Sequence, residues 1–305
     1  MTVDMRVRIS SLELRNPVMT ASGTFASGRE YADFMDLGRL GALVTKGVSV
    51  EPWIGNASPR IAETASGMLN SIGLQNPGVE AFCARDLVWL GDIDVPLIVN
   101  VSGNTVAEYV GVIERLEAES RVDGYEVNIS CPNVDAGGMT FGTDCAGAAA
   151  VTSACREATT RPLVVKLSPN VTDIAEIARA VADAGADAVS LINTLLGMAV
   201  DVDTFRPKLA RVVGGLSGPA IKPVAVRMVW QVAGAVDIPV IGMGGIMTAE
   251  DAVEFLLAGA CAVAVGTASF VDPTSAVRVI DGLVEFCHAR GIDQVTDLVG
   301  ALVVD

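Results

Sequence analysis

The stretch that most directly indicates chemistry is residues 128–133, with the sequence NISCPN. It follows a strand-like run at 124–127 and leads into a loop at 135–142 that is rich in glycine. A cysteine thiol can remove a proton or attack a carbon, and neighbouring amide side chains can orient a flat polar substrate. A lone cysteine is more often a buried structural residue. A catalytic role for Cys131 therefore depends on matching polar residues elsewhere in the chain.

The composition excludes several classes of function. A net charge of −15 over 305 residues disfavours nucleic acid and anionic membrane surfaces as partners. The six cysteines contain no C-x-x-C pair, and His288 is the one histidine, so we expect no metal site, no iron–sulfur cluster held by this chain and no Ser-His-Asp hydrolase. The absence of a signal-peptide pattern and of a long apolar run predicts a cytoplasmic protein.

Short apolar runs that end in small or polar residues recur along the chain. They lie at 16–23, 41–47, 96–103, 125–131, 162–169, 188–194, 239–245 and 262–268. Helical patterns separate most of them, such as 172–185 and the run that follows a capping-box sequence at 248–251. Eight strand–helix units predict an α/β fold, a (β/α)₈ TIM barrel, in a single domain over 1–305. A doubly wound sheet is the alternative, disfavoured because no G-x-G-x-x-G follows an early strand.

Three further segments add to the predicted barrel. Residues 3–14 alternate apolar and polar types around two serines, which predicts an N-terminal β-hairpin at the bottom of the barrel. The connections at 48–95 and 195–238 are longer than a plain barrel needs, and loops of this kind are usually functional or mobile. We expect them to be inserted loops at the C-terminal face.

The ends of the predicted strands carry a matching set of polar residues. In a barrel of this kind the active site lies at the carboxyl ends of the strands, so Lys46, Lys166 and several amides should share one cup. Glycines after the seventh and eighth strands, with a helix that begins near Thr248, indicate a phosphate site. A flavin fits both features, because a lysine can stabilise the negative charge of the reduced ring.

Six motifs connect these residues with a known family. They are TKG at 45–47, NSIGLQNP at 70–77, NISCPN at 128–133, VKLSPN at 165–170, INT at 192–194 and GLSG at 215–218. Together they resemble the class 1 dihydroorotate dehydrogenases over nearly the whole chain, most closely the type B catalytic subunits. The resemblance implies oxidation of dihydroorotate to orotate in pyrimidine synthesis, with Cys131 as general base and FMN as hydride acceptor. It also implies a homodimeric core joined to a partner subunit that carries FAD and a [2Fe-2S] cluster, a heterotetramer that passes electrons to NAD⁺.

The resemblance assigns individual positions. The implied FMN contacts are Ser22, Lys46, Gly47, Asn100, Asn128, Lys166, Ile192, Gly218, Gly244, Gly245, Gly266 and Thr267. The implied substrate contacts are Lys46, Asn70, Ser71, Ile72, Gly73, Leu74, Asn128, Asn193 and Thr194. The loop at 132–142 is expected to close over the substrate and exclude water.

Alternative functions remain open at this point. A type A enzyme would pass electrons to fumarate, and the FMN subunit of a dihydropyrimidine dehydrogenase would share the cysteine base. A flavin barrel that modifies transfer RNA conflicts with the net charge of −15, and a scaffold has no physical need for the lysine, amide and cysteine set. The chain departs from the family pattern at Trp53, where relatives often have arginine, and at Ala57.

Overall fold

Short runs of β-branched and other apolar residues form the parallel strands at the centre of the fold. The computed structural model describes residues 3–130 and 141–304. Over those residues the strands are β1 (Val7–Ile9), β2 (Leu12–Leu14), β3 (Val18–Thr20), β4 (Leu43–Val44), β5 (Ile61–Thr64), β6 (Gly67–Asn70), β7 (Leu97–Val101), β8 (Gly124–Asn128), β9 (Leu163–Lys166), β10 (Ala188–Leu191), β11 (Leu195–Met198), β12 (Val200–Asp201), β13 (Arg206–Pro207), β14 (Val213–Ser217), β15 (Val240–Met243) and β16 (Ala262–Val265). Strands β7 to β10, β15 and β16 are buried along their whole length, as a parallel sheet covered by helices requires.

The central sheet runs in the order β3-β16-β15-β10-β9-β8-β7-β4 across the described residues. Its two ends meet, because Gly41 N donates to Val18 O at 2.8 Å and Thr20 N donates to Ala42 O at 3.3 Å. The Thr20 hydroxyl completes this seam: it accepts from Val44 N at 2.9 Å and donates to Val44 O at 3.2 Å. The sheet is therefore a barrel. The predicted TIM barrel is confirmed, and the doubly wound alternative is wrong.

Helices cover the outside of the barrel. In the described part of the chain they are α1 (Val79–Ala81), α2 (Val88–Leu90), α3 (Val106–Glu117), α4 (Cys145–Glu157), α5 (Ile174–Asp183), α6 (Lys222–Ala233), α7 (Ala249–Leu257), α8 (Ala268–Val271) and α9 (Ser275–Arg290), with a π-helical stretch at Phe82–Leu87 between α1 and α2. The helix predicted at 172–185 is α5, and the capping box predicted at Thr248 begins α7. In the described residues no helix is long and apolar enough to cross a membrane.

The N-terminal hairpin forms as predicted. Strands β1 and β2 pair antiparallel, with Val7 opposite Leu14. The tip of the hairpin lies at the bottom of the barrel, because Ser10 Oγ donates to Asp187 Oδ1 at 3.3 Å and Asp187 directly precedes β10. The apolar side chains Val7, Ile9 and Leu14 are buried and join the main core.

The two long connections form a single structure rather than two separate loops. Strand β14, from the second connection, pairs antiparallel with β6, from the first, and places Gly215 opposite Asn70. Its other edge pairs with β11, so the order of this second sheet is β11-β14-β6-β5. The sequence placed both insertions correctly but did not predict their pairing, because each strand finds its partner about 145 residues away.

The Thr20 hydroxyl gives a test of barrel closure. Thr20 is almost fully buried, so Thr20→Val keeps the shape but leaves Val44 N–H and C=O without this partner. We expect a loss of about 1–3 kcal/mol in the free energy of unfolding, measured by urea denaturation. Thr152→Val is the matched control, because the buried Thr152 hydroxyl bonds to the helical carbonyl of Ala148 and its loss should cost about 1 kcal/mol or less. Equal losses in the two variants would contradict a special role for the seam.

Candidate functional site

A buried pair of opposite charges on neighbouring strands lies at the centre of the site. Lys166 ends β9 and is 4% exposed, and Glu126 lies within β8 and is 3% exposed. Lys166 Nζ is 4.0 Å from Glu126 Oε1 and donates a hydrogen bond to Ser22 Oγ at 3.1 Å. Predicted residues Ser22 and Lys166 are thus brought together across the barrel interior.

Glu126 was not predicted as a site residue, although the sequence contains a signal for its role. Side chains alternate between the two faces of a strand, so Glu126 lies on the same face of β8 as Asn128. Tyr125 lies on the opposite face, where its hydroxyl bonds to Glu117 on α3. A charged residue two positions before a predicted site residue, in a strand that is otherwise apolar, is unusual because burying a charge is costly unless it is compensated.

Glu126 is compensated by hydrogen bonds from two further strands. Its Oε1 accepts from Asn100 Nδ2 on β7 at 2.6 Å, and its Oε2 accepts from Ser190 Oγ on β10 at 2.8 Å. One carboxylate therefore connects β7, β8, β9 and β10 just below the rim of the barrel. Ser190 was not predicted as part of the site either.

The region above this cluster has polar atoms that fit a flavin. Asn100 Oδ1 and Ser102 Oγ are buried and have no hydrogen-bond partner among the described residues. A Cβ atom on Gly47 would lie 2.7 Å from Ser102 Oγ and 3.0 Å from Asn100 Oδ1, so residue 47 must lack a side chain to keep this space open. Lys46 lies at the same end of the barrel, because its Nζ is 3.8 Å from the position of a Cβ on Gly23. Unpaired buried acceptors are costly, which favours a ligand with hydrogen-bonding edges such as a flavin ring.

The predicted phosphate contacts also come together. Gly218, Gly244 and Gly245 have φ angles of 96°, 125° and 80°, which favour glycine. A Cβ on Gly245 would lie 2.9 Å from Gly218 O, and one on Gly244 would lie 3.3 Å from Ile192 Cγ1. The ends of β10, β14 and β15 therefore approach each other with no room for side chains.

The end of β16 joins this group. Gly266 follows β16, and Thr267 Oγ1 donates to Ser217 Oγ at the end of β14 at 2.8 Å. A Cβ on Gly266 would lie 3.4 Å from Ala21 Cβ. Backbone N–H groups in such a cradle can approach a phosphate closely.

The start of α7 is capped by a carboxylate of its own first turn. Asp251 Oδ2 accepts from Met247 N at 2.8 Å and from Thr248 N at 2.9 Å, and its Oδ1 accepts from Lys222 Nζ at 2.6 Å. The contribution of this helix end to a phosphate site stays a prediction from the sequence. Burial acts to raise the pKa of Asp251, but the bonds from Lys222 and from the two N–H groups lower it below its usual value overall.

The predicted substrate segment at 70–74 is held by the chain just before it. Asn56 donates from its backbone N to Ile72 O and from its Nδ2 to Ser71 O, both at 2.9 Å. Ser71 N donates to Arg60 O at 2.8 Å. Leu74 has a φ of 49°, a conformation that few side chains adopt without such support.

The departures from the family pattern lie in this supporting segment. Trp53 and Asn76 exchange two backbone hydrogen bonds of 3.0 Å, so the backbone at Trp53 holds the end of the motif at 70–77. The side chain of Trp53 takes no part in these bonds. Nothing in the structure explains the change at Ala57.

Strand β14 connects the remaining predicted substrate residues. Asn70 Nδ2 donates to Gly215 O at 3.4 Å, and a Cβ on Gly215 would lie 2.0 Å from Thr194 Oγ1. Asn193 Oδ1 accepts from Thr194 N at 2.8 Å. Asn70 from the first insertion and Thr194 from the end of β10 are thus held against β14, a strand of the second insertion. Ser71 Oγ is buried, without a partner in the described part of the chain.

Asn128 marks the point where the described chain approaches the predicted base. Its carbonyl accepts from Tyr109 OH at 2.8 Å, and Ser130 Oγ lies 3.0 Å from Asn128 Oδ1. Cys131 and most of the loop at 132–142 lie outside the described residues. Their roles stay predictions from the sequence.

Comparison with known proteins finds relatives along the whole chain. The family model for dihydroorotate dehydrogenase matches residues 4–287. The catalytic subunit of dihydroorotate dehydrogenase B (NAD(+)) from Pelobacter propionicus is 58% identical over 302 residues, 99% of this chain and 99% of that protein. The same subunit from Alkaliphilus oremlandii is 58% identical over 299 residues, 98% of this chain and 99% of that protein. The resemblance indicated by the motifs is confirmed, including its type B character.

A solved structure supports the architecture independently. The crystal structure of dihydroorotate dehydrogenase from Eimeria tenella in complex with ferulenol matches with a TM-score of 0.81. It covers 98% of this chain and 88% of that chain at 23% sequence identity. At this identity the match supports the fold alone.

The Asp251 cap gives a pH-dependent prediction. Because the folded-state pKa of Asp251 is lowered, its carboxylate stabilises the fold above the unfolded value of about 4, and this contribution is lost as the pH falls through the folded value. Asp251→Asn should therefore cost about 1 kcal/mol of unfolding free energy at pH 7 and less at pH 3, measured by urea denaturation. Glu250→Gln, on an exposed position of the same turn, is the control. A cost that is equal at both pH values would contradict the assignment.

Proposed function

This chain belongs to the dihydroorotate dehydrogenase family, and from that premise we propose that it oxidises dihydroorotate to orotate as the catalytic subunit of a type B enzyme. The proposal is supported by full-length relatives at 56–58% identity that carry this name. The observation that carries it is the buried cluster of Lys166, Ser22, Glu126 and Asn100 beneath partnerless acceptor atoms. Such a cluster is costly to the fold unless a ligand completes it.

We assign the cofactor role to FMN, one per chain in the single domain over 1–305. The glycine cradle around Gly218 and Gly245 suits the phosphate, and the space above Gly47 suits the ring. Lys166 then supplies a cation beside the ring, and Asn100 supplies an acceptor. When bound, FMN accepts the hydride that leaves the substrate.

The substrate contacts follow from the chemistry of dihydroorotate. It is an anion with amide donors and acceptors on its ring, which matches the amides of Asn70, Asn128 and Asn193 and the cation of Lys46. Two contacts support the proposal: Asn70 Nδ2 donates to Gly215 O on β14, and Asn193 lies two residues before β11, which pairs with the same strand. We propose that the segment 70–74, with Thr194, surrounds the substrate.

We propose Cys131 as the general base. It would accept the proton from the ring carbon next to the carbon that releases hydride. A thiol has a pKa of about 8.5 in the absence of perturbation, within reach of neutral pH, and a positioned base accelerates such a step by about 10²–10⁴-fold. The other thiols are poorer candidates: Cys155 is fully buried, and burial raises its pKa to about 12.

The electron acceptor is proposed from the relatives. The name of these relatives specifies NAD⁺, so we propose that electrons leave FMN for a partner subunit that holds FAD and a [2Fe-2S] cluster, and pass from there to NAD⁺. A homodimeric core of this chain with two such partners would give a heterotetramer. A cytoplasmic location is proposed because the described cysteines are free thiols, as a reducing compartment favours.

An anaerobic optical experiment tests the substrate and the base. The purified chain should carry flavin absorbance that bleaches on addition of dihydroorotate, and Cys131→Ala should slow the bleaching by about 10²-fold or more near neutral pH. Cys261→Ala removes a free thiol that directly precedes β16, at the opposite end of the barrel from the site, and should bleach like the wild type. Bound flavin that bleaches with dihydrouracil instead would favour a dihydropyrimidine dehydrogenase subunit. Full-rate bleaching in Cys131→Ala would refute the general-base role.

A second experiment tests the acceptor. The chain alone, reduced by dihydroorotate, should not form NADH at a significant rate, because no protein group is proposed to carry electrons from its flavin to NAD⁺. Addition of a subunit with FAD and a [2Fe-2S] cluster should restore NADH formation. Rapid turnover of the chain alone with fumarate would favour the type A alternative.

A further inference from the structure

We propose that Glu126 is a positioning residue that balances the charge of Lys166 and fixes the orientation of Asn100, and that it thereby sets how strongly the site favours reduced over oxidised flavin. The inference rests on the proposed FMN site. It concerns a residue that would act through Lys166 and Asn100 rather than through contact with the reacting atoms. Its basis is the geometry of one buried carboxylate.

Glu126 fixes the orientation of the Asn100 amide. An ionised carboxylate only accepts hydrogen bonds, so the Asn100 amide must turn its NH₂ group toward Glu126, with Nδ2 at 2.6 Å from Oε1. The amide oxygen then faces away from Glu126 and lies beside Gly47, where it has no partner among the described residues. Glu126 thus determines that Asn100 presents an acceptor, not a donor, to a ligand.

Glu126 also balances the positive charge of Lys166. Lys166 Nζ is 4.0 Å from Glu126 Oε1 and donates a hydrogen bond to the neutral hydroxyl of Ser22 at 3.1 Å. The two formal charges cancel within the barrel interior. A cation beside the flavin favours the anionic reduced ring, so its neutralisation by Glu126 limits that preference.

The carboxylate of Glu126 is itself held in place by Ser190. Ser190 Oγ donates to Oε2 at 2.8 Å, so both carboxylate oxygens are fixed by donors on strands either side of β8 and β9. Ser190 is fully buried, and its neutral hydroxyl helps to fix the carboxylate of Glu126 without changing the charge of the cluster. Substitution of Ser190 therefore separates the effect of carboxylate position from the effect of charge.

The test measures the reduction equilibrium of bound FMN by spectroscopic titration, without dihydroorotate. In Glu126→Gln, which keeps the shape and removes the charge, the preference for reduced flavin should rise by about tenfold. Removal of a negative charge near the ring favours its anionic reduced form, and we put this change at about tenfold. For a two-electron couple it is a shift of about 30 mV to higher potential. Ser190→Ala, which keeps the charge, should change the preference by less than about threefold.

A double-mutant cycle of Glu126 and Lys166 distinguishes charge balance from a purely structural role of Glu126. Lys166→Met should shift the preference in the opposite direction, and the double variant Glu126→Gln/Lys166→Met should return toward the wild type. The single variants each leave one buried charge without its partner, so the double variant should melt at a higher temperature than either. The melting order can be measured on the chain without flavin, which keeps the test valid if one variant binds FMN weakly.

The possible outcomes are distinct. A wild-type chain that holds no FMN would refute the proposed function. A wild type that holds FMN and bleaches with dihydroorotate, combined with an unchanged reduction equilibrium in Glu126→Gln, would refute this inference alone. So would a Ser190→Ala shift equal to that of Glu126→Gln, or a double variant less stable than both single variants.

Discussion

Closure of a parallel sheet is the constraint on which the rest of this structure depends. Because every strand of the barrel runs in the same direction, the carboxyl ends of strands far apart in sequence meet at one rim. The seam between β3 and β4 uses the Thr20 hydroxyl as a partner for Val44, since β4 is short. Ser22, two residues after this seam, then reaches Lys166 from the opposite side of the barrel.

The chemistry at the rim of the barrel depends on the carboxylate that is buried just beneath it. A carboxylate in a barrel interior is tolerated only with donors and a cation around it, and Glu126 has Asn100, Ser190 and Lys166. Glu126 and these neighbours come from four adjacent strands, β7 to β10, so the polar cluster also fixes where each strand end lies. The proposed cofactor contacts therefore lie mostly at the ends of barrel strands. The proposed substrate contacts lie mostly on and beside the two insertions, which share a sheet of their own.

Much of the fold was predictable because its signals are local. Each apolar run and the capping box at Thr248 depend on neighbouring residues, and all of them appear in the structure. Site positions such as Ser22, Lys166 and Gly245 could be predicted from their place after a strand. The pairing of β6 with β14 could not, because it depends on contacts between distant segments. Glu126 and Ser190 were not predicted because they lie inside β8 and β10 rather than after the ends of these strands.

The shared sheet of the insertions has a consequence for how this barrel can change over evolution. Strand β14 covers one edge of β6, and the Leu69 side chain between them is almost completely buried. Loss of the second insertion would expose that edge, and exposed strand edges promote association with other chains. The two segments therefore have to be shortened or transplanted together if that edge is to stay covered.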